Sequence, residues 1–319
     1  MSRSGRRFWA SLIVAATGLL ASAESLSQAQ QQCDRACLQG FVDKYLDALV
    51  AHDASRAPFS PSVKATENGQ AVGVHDGLWK TANGNSTYRL YFADPDQGEV
   101  GFIGVIQEHD LPAIMALRLR VENQLITEAE TIVARAQANG GFAKPENFVK
   151  PIPILPTVLP PAERVSREEM IRAANSYFTG LDEEDSGKNV AFDKDCQRRE
   201  NGSVTANSTD PKASPMAKLG CKAQFDTGFS AIVTKVRERR FPIVDVERGL
   251  IYTIIFFDHA GNVESYTTPE GKVVPINGLF RRPLTFMIGE LFKIKRGKIR
   301  QIEAVLLEVP YGMPSGWDK

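Results

Sequence analysis

Apolar residues recur at the spacing of one helix face in two segments of the chain, one beginning near residue 33 and the other after Ser166. Ser166 and Glu169 have the spacing of a capping box, which predicts the start of a helix. The apolar positions of the two predicted helices are Leu38, Phe41, Val42, Tyr45, Leu46 and Leu49, and Met170, Ile171, Ala174, Tyr177, Phe178 and Leu181. After each helix, short apolar runs broken by Asp, Pro, Gly and Asn predict antiparallel strands joined by hairpins.

The landmarks that follow the two helices are also alike, which indicates an internal repeat. Tyr45 is followed by Glu67-Asn68-Gly69, and Tyr177 is followed at nearly the same distance by Glu200-Asn201-Gly202. A repeat of this length is long enough for each copy to build its own hydrophobic core.

The repeat predicts two α+β domains, 33–135 and 166–312, joined by a proline-rich linker, 136–165. Each domain is expected to contain one long helix, a first strand, a short helix and about four antiparallel strands. The short helix is expected near Gly77–Lys80 in the first copy and near Ala217–Gln224 in the second.

The N-terminus has the features of an export signal. Arginines precede an uncharged run from Phe8 to Leu20, and Ala21-Ser22-Ala23 has the small-residue pattern of a signal-peptidase site. We therefore expect residues 1–23 to be a signal peptide and the mature protein to be secreted or periplasmic, without membrane attachment.

Export makes disulfide bonds the favoured interpretation of the four cysteines. We predict Cys33–Cys37, which one helical turn brings within reach, and Cys196–Cys221, which closes a loop of about 25 residues. The other pairings and free thiols remain open alternatives.

Composition excludes some functions. The hydrophobic share of 43% is sufficient for folded domains, and Lys plus Arg and Asp plus Glu both number 38, so the net charge is zero. A nucleic-acid partner is not expected, because such binding depends on excess positive charge. The sequence has no phosphate-binding loop, dinucleotide-binding motif or clustered metal ligands, so no cofactor or metal is expected.

The Tyr-x-x-x-Leu helix, the strand with Glu-Asn-Gly and the four closing strands resemble the SnoaL-like cone fold of the nuclear-transport-factor-2-like superfamily. More closely, the chain resembles secreted tandem proteins of a largely uncharacterised group. The resemblance implies two cone domains, each a curved antiparallel sheet wrapped on a long helix. Cones of this superfamily pair through their sheets, so the two copies are expected to form a pseudo-dimer within one chain, and the protein to be a monomer or a homodimer.

Enzymes of this superfamily place acidic, basic and aromatic groups in the cone cavity, and an apolar cavity makes a carboxylate a stronger base. The resemblance implies Glu67 and Glu200 as catalytic carboxylates on the first strands, and Asp226 as a carboxylate from the short-helix region. His259 and His75 are further catalytic candidates because histidine transfers protons near neutral pH. The alternatives are a hairpin turn at each Glu-Asn-Gly and a solvated loop position for His259.

The predicted substrate-binding residues are Asn201, Arg240, Arg89, Asn68, Tyr177, Tyr45 and Trp79. The aromatic residues could equally belong to the core. Arg89 and Arg240 could instead pair with Asp94 and Asp245, each five residues further along the chain. Glu290 is a single polar residue in an apolar strand, so it is expected to face the cavity or an ion partner.

These features favour an exported, cofactor-independent acid/base enzyme, a lyase, dehydratase or isomerase. Its expected substrate is a small apolar, hydroxylated molecule, with aromatic compounds among the candidates. A non-catalytic module that binds an apolar ligand or a protein partner is the alternative. A purely structural pseudo-dimer is a third possibility.

Overall fold

The computed structural model of the protein describes residues 33–109, 111–136, 142–182 and 187–317. The predicted signal peptide, residues 1–23, lies outside the described residues. Within them, no helix is long and apolar enough to cross a membrane.

The chain has a mixed α and β structure with two large sheets and few helices, arranged in two halves, 33–136 and 167–317. The first half consists of α1 (Arg35–Val50), β1 (Phe59–Glu67), β2 (Gln70–Ala71), α2 (Leu78–Thr81), β3 (Ala82–Asp94), β4 (Glu99–Glu108), β5 (Leu111–Glu122) and β6 (Leu125–Arg135). The second half consists of α3 (Arg167–Asp182), β7 (Phe192–Glu200), β8 (Ser203–Ala206), α4 (Pro215–Lys218), α5 (Cys221–Asp226), β9 (Lys235–Asp245), β10 (Leu250–His259), β11 (Ser265–Thr267), β12 (Val273–Pro275), β13 (Leu284–Lys295) and β14 (Lys298–Val309).

The two halves share one topology. The first sheet has the strand order β2-β1-β6-β5-β4-β3, and the second has the equivalent order β8-β7-β14-β13-β10-β9. In each sheet, neighbours are antiparallel except where the first strand pairs with the last, β1 with β6 and β7 with β14. The extra length of the second half includes the hairpin β11–β12.

The two long helices form where the apolar spacing predicts them. Asp34 caps α1 by accepting a hydrogen bond from the amide of Cys37, and the predicted apolar positions of α1 are all buried. At α3, Glu169 accepts from the amide of Ser166, and Ser166 Oγ accepts from the amide of Glu169. The predicted capping box is therefore confirmed.

Side chains alternate between the two faces of each sheet, and both faces are buried. On β10, Ile251, Ile255 and Phe257 contact the core beneath α3, whereas Tyr252 and Ile254 contact a core shared by both halves. The shared core contains apolar residues of β3, β4, β5 and β6 from the first half and of β9, β10, β13 and β14 from the second. The two sheets consequently pack against each other face to face.

A reciprocal pair of aspartates connects the halves. Asp94 accepts hydrogen bonds from Arg167 and from the amide of Val244, and Asp245 accepts from Arg35 and from the amide of Ala93. The expected pairs within each half do not form, because five residues of strand span about 17 Å, which is too far for an arginine side chain. The arginines come instead from the first turn of each long helix.

Both predicted disulfides, Cys33–Cys37 and Cys196–Cys221, are present. The second one joins β7 to α5, the short helix that lies beside the interior of the second half. The linker crosses the surface, where the amide of Lys144 donates to the carbonyl of Asn201 and Leu155 is buried.

Candidate active site

The second half encloses a cavity of about 640 Å³ between α3, α5 and the helix-facing side of its sheet. This volume is within the range of small-molecule sites in proteins. The wall is mainly apolar, and its apolar side chains are those of Leu181, Phe225, Phe229, Ile232, Val233, Phe257, Leu279, Phe280, Phe286, Ile288, Leu306 and Leu307. Arg135 of the first half and Phe142 of the linker also contribute to the lining.

His259 lies in this cavity at the end of β10, with only 3% of its surface exposed. Its Nδ1 is 2.8 Å from the carbonyl oxygen of Ile232. A carbonyl can only accept, so Nδ1 carries the proton and Nε2 has the unprotonated lone pair. Nε2 is buried and has no hydrogen-bond partner among the described residues. The expected alternative of a solvated loop histidine is wrong.

The surroundings of His259 keep the ring neutral. The ring centroids of Phe280 and Phe286 are 4.9 Å and 5.4 Å from that of the imidazole. Burial lowers the pKa of His259 to about 4, although the Ile232 carbonyl and Asp258 favour the charged form. At neutral pH the side chain is therefore a neutral proton acceptor.

Ser230 adds a second polar atom to the cavity. It belongs to the single-turn helix Phe229–Ile232, the same segment that supplies the carbonyl partner of His259. Its Oγ is buried and has no hydrogen-bond partner in the part of the chain that the structure describes. A hydroxyl in this state can donate to a bound molecule or accept from it.

A second polar cluster, which we call the Arg198 cluster, consists of Arg198, Tyr177, Gln224, Glu200 and Glu290. Arg198 donates to the Tyr177 hydroxyl at 3.2 Å and to Gln224 Oε1 at 2.7 Å. Its Nε lies 3.4 Å from Glu200 Oε1, so the guanidinium and this carboxylate form an ion pair. Burial raises the pKa of Tyr177, and its hydroxyl remains protonated.

Glu290 lies on β13 opposite Ala304, which in turn lies opposite Glu200, so both glutamates are at one level of the sheet. Glu290 is 1% exposed, and its Oε2 has no hydrogen-bond partner among the described residues. Burial and the charge of Glu200 raise the pKa of Glu290 to about 8, against the opposing effect of Arg198. The Glu290 carboxyl is therefore mostly protonated at pH 7 and is a donor.

Asn201 lines the cavity, but its amide group bonds to the backbone. It has a positive φ of 46°, and its side chain accepts from the amide and donates to the carbonyl of Leu306. Asn68 of the first half likewise accepts from the amide of Val133. These contacts favour a structural role for both, in which Glu-Asn-Gly forms a turn attached to the last strand of its own sheet.

Apolar residues occupy the equivalent interior of the first half. Leu117 has the position on its sheet that Glu290 has in the second half, and Ala65 has that of Arg198. Tyr45 and Trp79 are buried, with ring centroids 5.3 Å apart in an edge-to-face contact. The structure thus places these two aromatic candidates in the core of the first half.

Both carboxylate oxygens of Glu67 accept hydrogen bonds from residues of the first half. Its Oε2 accepts from the amide of Leu78 at the start of α2, and its Oε1 accepts from Arg135 at 2.9 Å. Because Arg135 lines the cavity of the second half, Glu67 positions a residue of that cavity from outside it.

Four further candidates lie away from the large cavity: Asp226, Arg240, His75 and Arg89. Asp226 pairs with Lys222 on the outer side of α5. Arg240 donates to Glu130 between the two sheets.

His75 is exposed and lines a separate surface pocket of about 300 Å³ together with His52, Trp79 and Lys80. Arg89 donates to Asp43 of α1 and to Tyr91, next to it on the strand face. Of the predicted residues, Tyr177, Glu200, Asn201 and His259 therefore line the same cavity.

Arg198, Gln224 and Ser230 are cavity residues that sequence reasoning missed. Strand alternation could have identified Arg198, because it is two residues from Glu200 and faces the same side. Gln224 and Ser230 lie in short helical segments, where no sequence pattern indicates orientation. Among the described residues, no group of three or more His, Cys, Asp or Glu side chains is arranged to hold a metal ion.

Comparison with known families agrees with the repeat. A family described as a domain of unknown function (DUF8021) matches residues 31–133 and 163–306. The chain belongs to this family. The two matched segments correspond to the two halves and support a tandem arrangement of domains. No curated protein matches the chain.

Two solved structures resemble part of the chain. One is a protein of unknown function with a cystatin-like fold from Methylobium petroleophilum, which is 18% identical. Its alignment covers 35% of this chain and 84% of that chain, with a TM-score of 0.28. The other is a de novo designed protein with a curved β-sheet, which is 14% identical. Its alignment covers 45% of this chain and 88% of that chain, with a TM-score of 0.26.

Proposed function

We propose that the protein is an exported acid/base enzyme, a lyase, dehydratase or isomerase, that acts on a small apolar, hydroxylated molecule in the second-half cavity. It uses its own side chains and no cofactor. One observation carries the proposal. A single, mainly apolar cavity is lined both by His259, whose Nε2 has no partner among the described residues, and by Arg198 and Tyr177 of the Arg198 cluster.

His259 is the proposed general base. Nε2 takes a proton from the substrate while Nδ1 keeps its own proton on the Ile232 carbonyl, which fixes the ring orientation. The low pKa means that the imidazolium forms only if negative charge develops in the cavity at the same time. General-base catalysis of this kind contributes on the order of 10² to 10⁴ in rate.

The Arg198 cluster is the proposed site for that negative charge. Arg198 and the Tyr177 hydroxyl line the cavity and offer donors that are already oriented by the fold. Oriented donors in a site of low dielectric stabilise an oxyanion without reorganisation. The proton leaves at one end of the substrate, and the electron pair is stabilised at the other.

We further propose that each half is a SnoaL-like cone, a curved sheet wrapped on its long helix, and that the two form an intrachain pseudo-dimer. The packing of α1 and α3 on their sheets and the shared core between the sheets support this assignment. Leu117 and Ala65 replace Glu290 and Arg198 with apolar residues in the first half, which supports a role for that half as a structural companion of the second.

Export is supported by the two disulfides, which persist in oxidising compartments. The predicted signal peptide supports the same conclusion. A secreted or periplasmic location follows for the mature protein.

The test is a turnover screen of hydroxylated aromatic and terpenoid compounds with wild-type protein, His259→Gln and Glu200→Gln. The matched control is Asp226→Asn, a substitution in the same half outside the cavity. We expect at least a hundredfold loss of kcat/KM in His259→Gln and near wild-type values in Asp226→Asn. Compounds that bind the wild-type cavity tightly and are never converted would contradict the enzyme and favour the alternative, a non-catalytic binding module.

A further inference from the structure

The two polar ends of the cavity differ in their hydrogen-bonding needs, and this difference restricts the substrate. The following inference rests on the proposed function and specifies its substrate class. At the His259 end, Nε2 is unpartnered among the described residues and only accepts, whereas the Ser230 hydroxyl in the same cavity is also unpartnered and can accept or donate. A substrate atom that contacts Nε2 must donate a hydrogen, as a hydroxyl does.

The opposite end has an excess of donors. The bonds from Arg198 to Tyr177, Gln224 and Thr205 use three of its five N–H groups within the described part of the chain. The Tyr177 hydroxyl accepts one of these bonds and still has its own hydrogen to donate. A substrate atom that contacts Arg198 or the Tyr177 hydroxyl must accept, as a carbonyl oxygen does.

The two ends are far apart. His259 pairs with Leu284 on β13. Glu290 is six residues further along the same strand, which corresponds to about 20 Å. Side chains reach inward from both ends and shorten this span. The wall between them includes Phe257, Phe286 and Ile288, so the middle of a bound molecule meets apolar and aromatic surface.

Neither end favours a net charge on the substrate. His259 is neutral, the charge of Arg198 is balanced by Glu200 at 3.4 Å, and Arg282 in the cavity wall is paired with Glu308 at 2.5 Å. Taking an ion out of water into this wall without a new counter-ion would be costly. A neutral molecule fits the site better than an anion or a cation.

We infer that the substrate is a neutral, rod-shaped molecule of two or three rings with a hydroxyl at one end and a carbonyl oxygen at the other. The hydroxyl donates to His259 Nε2, and the carbonyl accepts from Arg198 and Tyr177. If the rings are conjugated, transfer of the hydroxyl proton to Nε2 moves an electron pair through them to the carbonyl oxygen. Atoms and charge balance without a further reactant.

Three matched probes test the inference by calorimetric binding to the purified protein. They are 4-acetyl-4′-hydroxybiphenyl, its methoxy analogue without the hydroxyl hydrogen, and its ethyl analogue without the carbonyl. The terphenyl series with the same ends tests the longer span. In at least one series, we expect the Kd of the hydroxy-acetyl compound to be lower than that of either analogue by about tenfold or more. The reason is that each analogue leaves a buried polar group unpaired.

Variants assign each preference to its end. His259→Leu should abolish the preference for hydroxyl over methoxy and keep that for acetyl over ethyl, and Tyr177→Phe should reduce only the latter. Asp226→Asn should bind like wild type. Equal binding of the three probes in both series, or preferences that persist in His259→Leu and Tyr177→Phe, would overturn the substrate class. The turnover screen of diverse compounds would still decide the acid/base function separately.

Discussion

Replacing Glu290 with leucine, the residue at the equivalent position of the first half, should remove a pH-dependent penalty on folding. The pKa of Glu290 is 4.5 in a solvated chain and about 8 in the folded protein, mainly because burial disfavours the carboxylate. An acidic group whose pKa is higher in the folded protein than in the unfolded chain binds more protons in the folded state. Its effect therefore destabilises the fold progressively as the pH rises from 4.5 to 8 and is constant above that.

The magnitude follows from linkage. Each unit of difference between the two pKa values corresponds to about 1.4 kcal/mol, so between pH 5 and pH 8 this group lowers the free energy of unfolding by about 3 kcal/mol. Urea unfolding of wild type and Glu290→Leu at both pH values, with the disulfides intact, measures the difference. Other titrating groups, His259 included, are present in both proteins and cancel.

The comparison has a control and a clear contrary outcome. Glu122→Gln removes an exposed carboxylate that pairs with Arg120, and it should change the pH dependence by well under 1 kcal/mol. If wild type and Glu290→Leu lose the same stability between pH 5 and pH 8, Glu290 is ionised in the fold and the assignment of a protonated donor is wrong.

The remaining predictions concern three other features. His259 should titrate below pH 5 in nuclear magnetic resonance spectra of the imidazole, because burial lowers its pKa to about 4, and a midpoint near 6.5 would place the ring in water. His259→Gln should correspondingly reduce the loss of stability on acidification from pH 6.5 to pH 4, since a buried neutral histidine favours folding only above its folded pKa. Asn201→Ala should lower the unfolding free energy by about 1 to 3 kcal/mol, as it leaves the amide and carbonyl of Leu306 without their side-chain partner, and an unchanged urea midpoint would refute that role. The double substitution of Cys196 and Cys221 by alanine should lower the free energy of unfolding by about 3 kcal/mol, because the disulfide closes a loop with a sequence separation of 25 residues. A loss below about 1 kcal/mol would show that other contacts already constrain the loop.

Much of the scaffold could be predicted from the sequence because its signals are local. The helix faces of α1 and α3 depend only on a spacing of three and four residues, and Ser166 with Glu169 is a local cap. Both disulfides followed from an even cysteine count and short separations. The repeated Tyr and Glu-Asn-Gly landmarks indicate the duplication from the sequence alone.

The location of the site could not be predicted, because it depends on which residues share one level of a sheet. Glu290 and Glu200 are 90 residues apart and meet only through the pairing of β13, β14 and β7. The equivalence of Glu290 and Leu117 is seen only when the strand pairings of the two sheets are compared residue by residue. Similarly, nothing near Asp94 in the sequence indicates that its arginine partner is Arg167 of the other half.

Filling the cavity of the second half tests most directly whether the reaction takes place there. Ile288 lies on the cavity wall, and its replacement by tryptophan places an indole within the 640 Å³. For a compound that wild type converts in the screen, we expect Ile288→Trp to lose kcat/KM by at least a hundredfold while its urea midpoint stays within the range of Asp226→Asn. Unchanged turnover in Ile288→Trp would place the reaction elsewhere in the molecule and contradict the account.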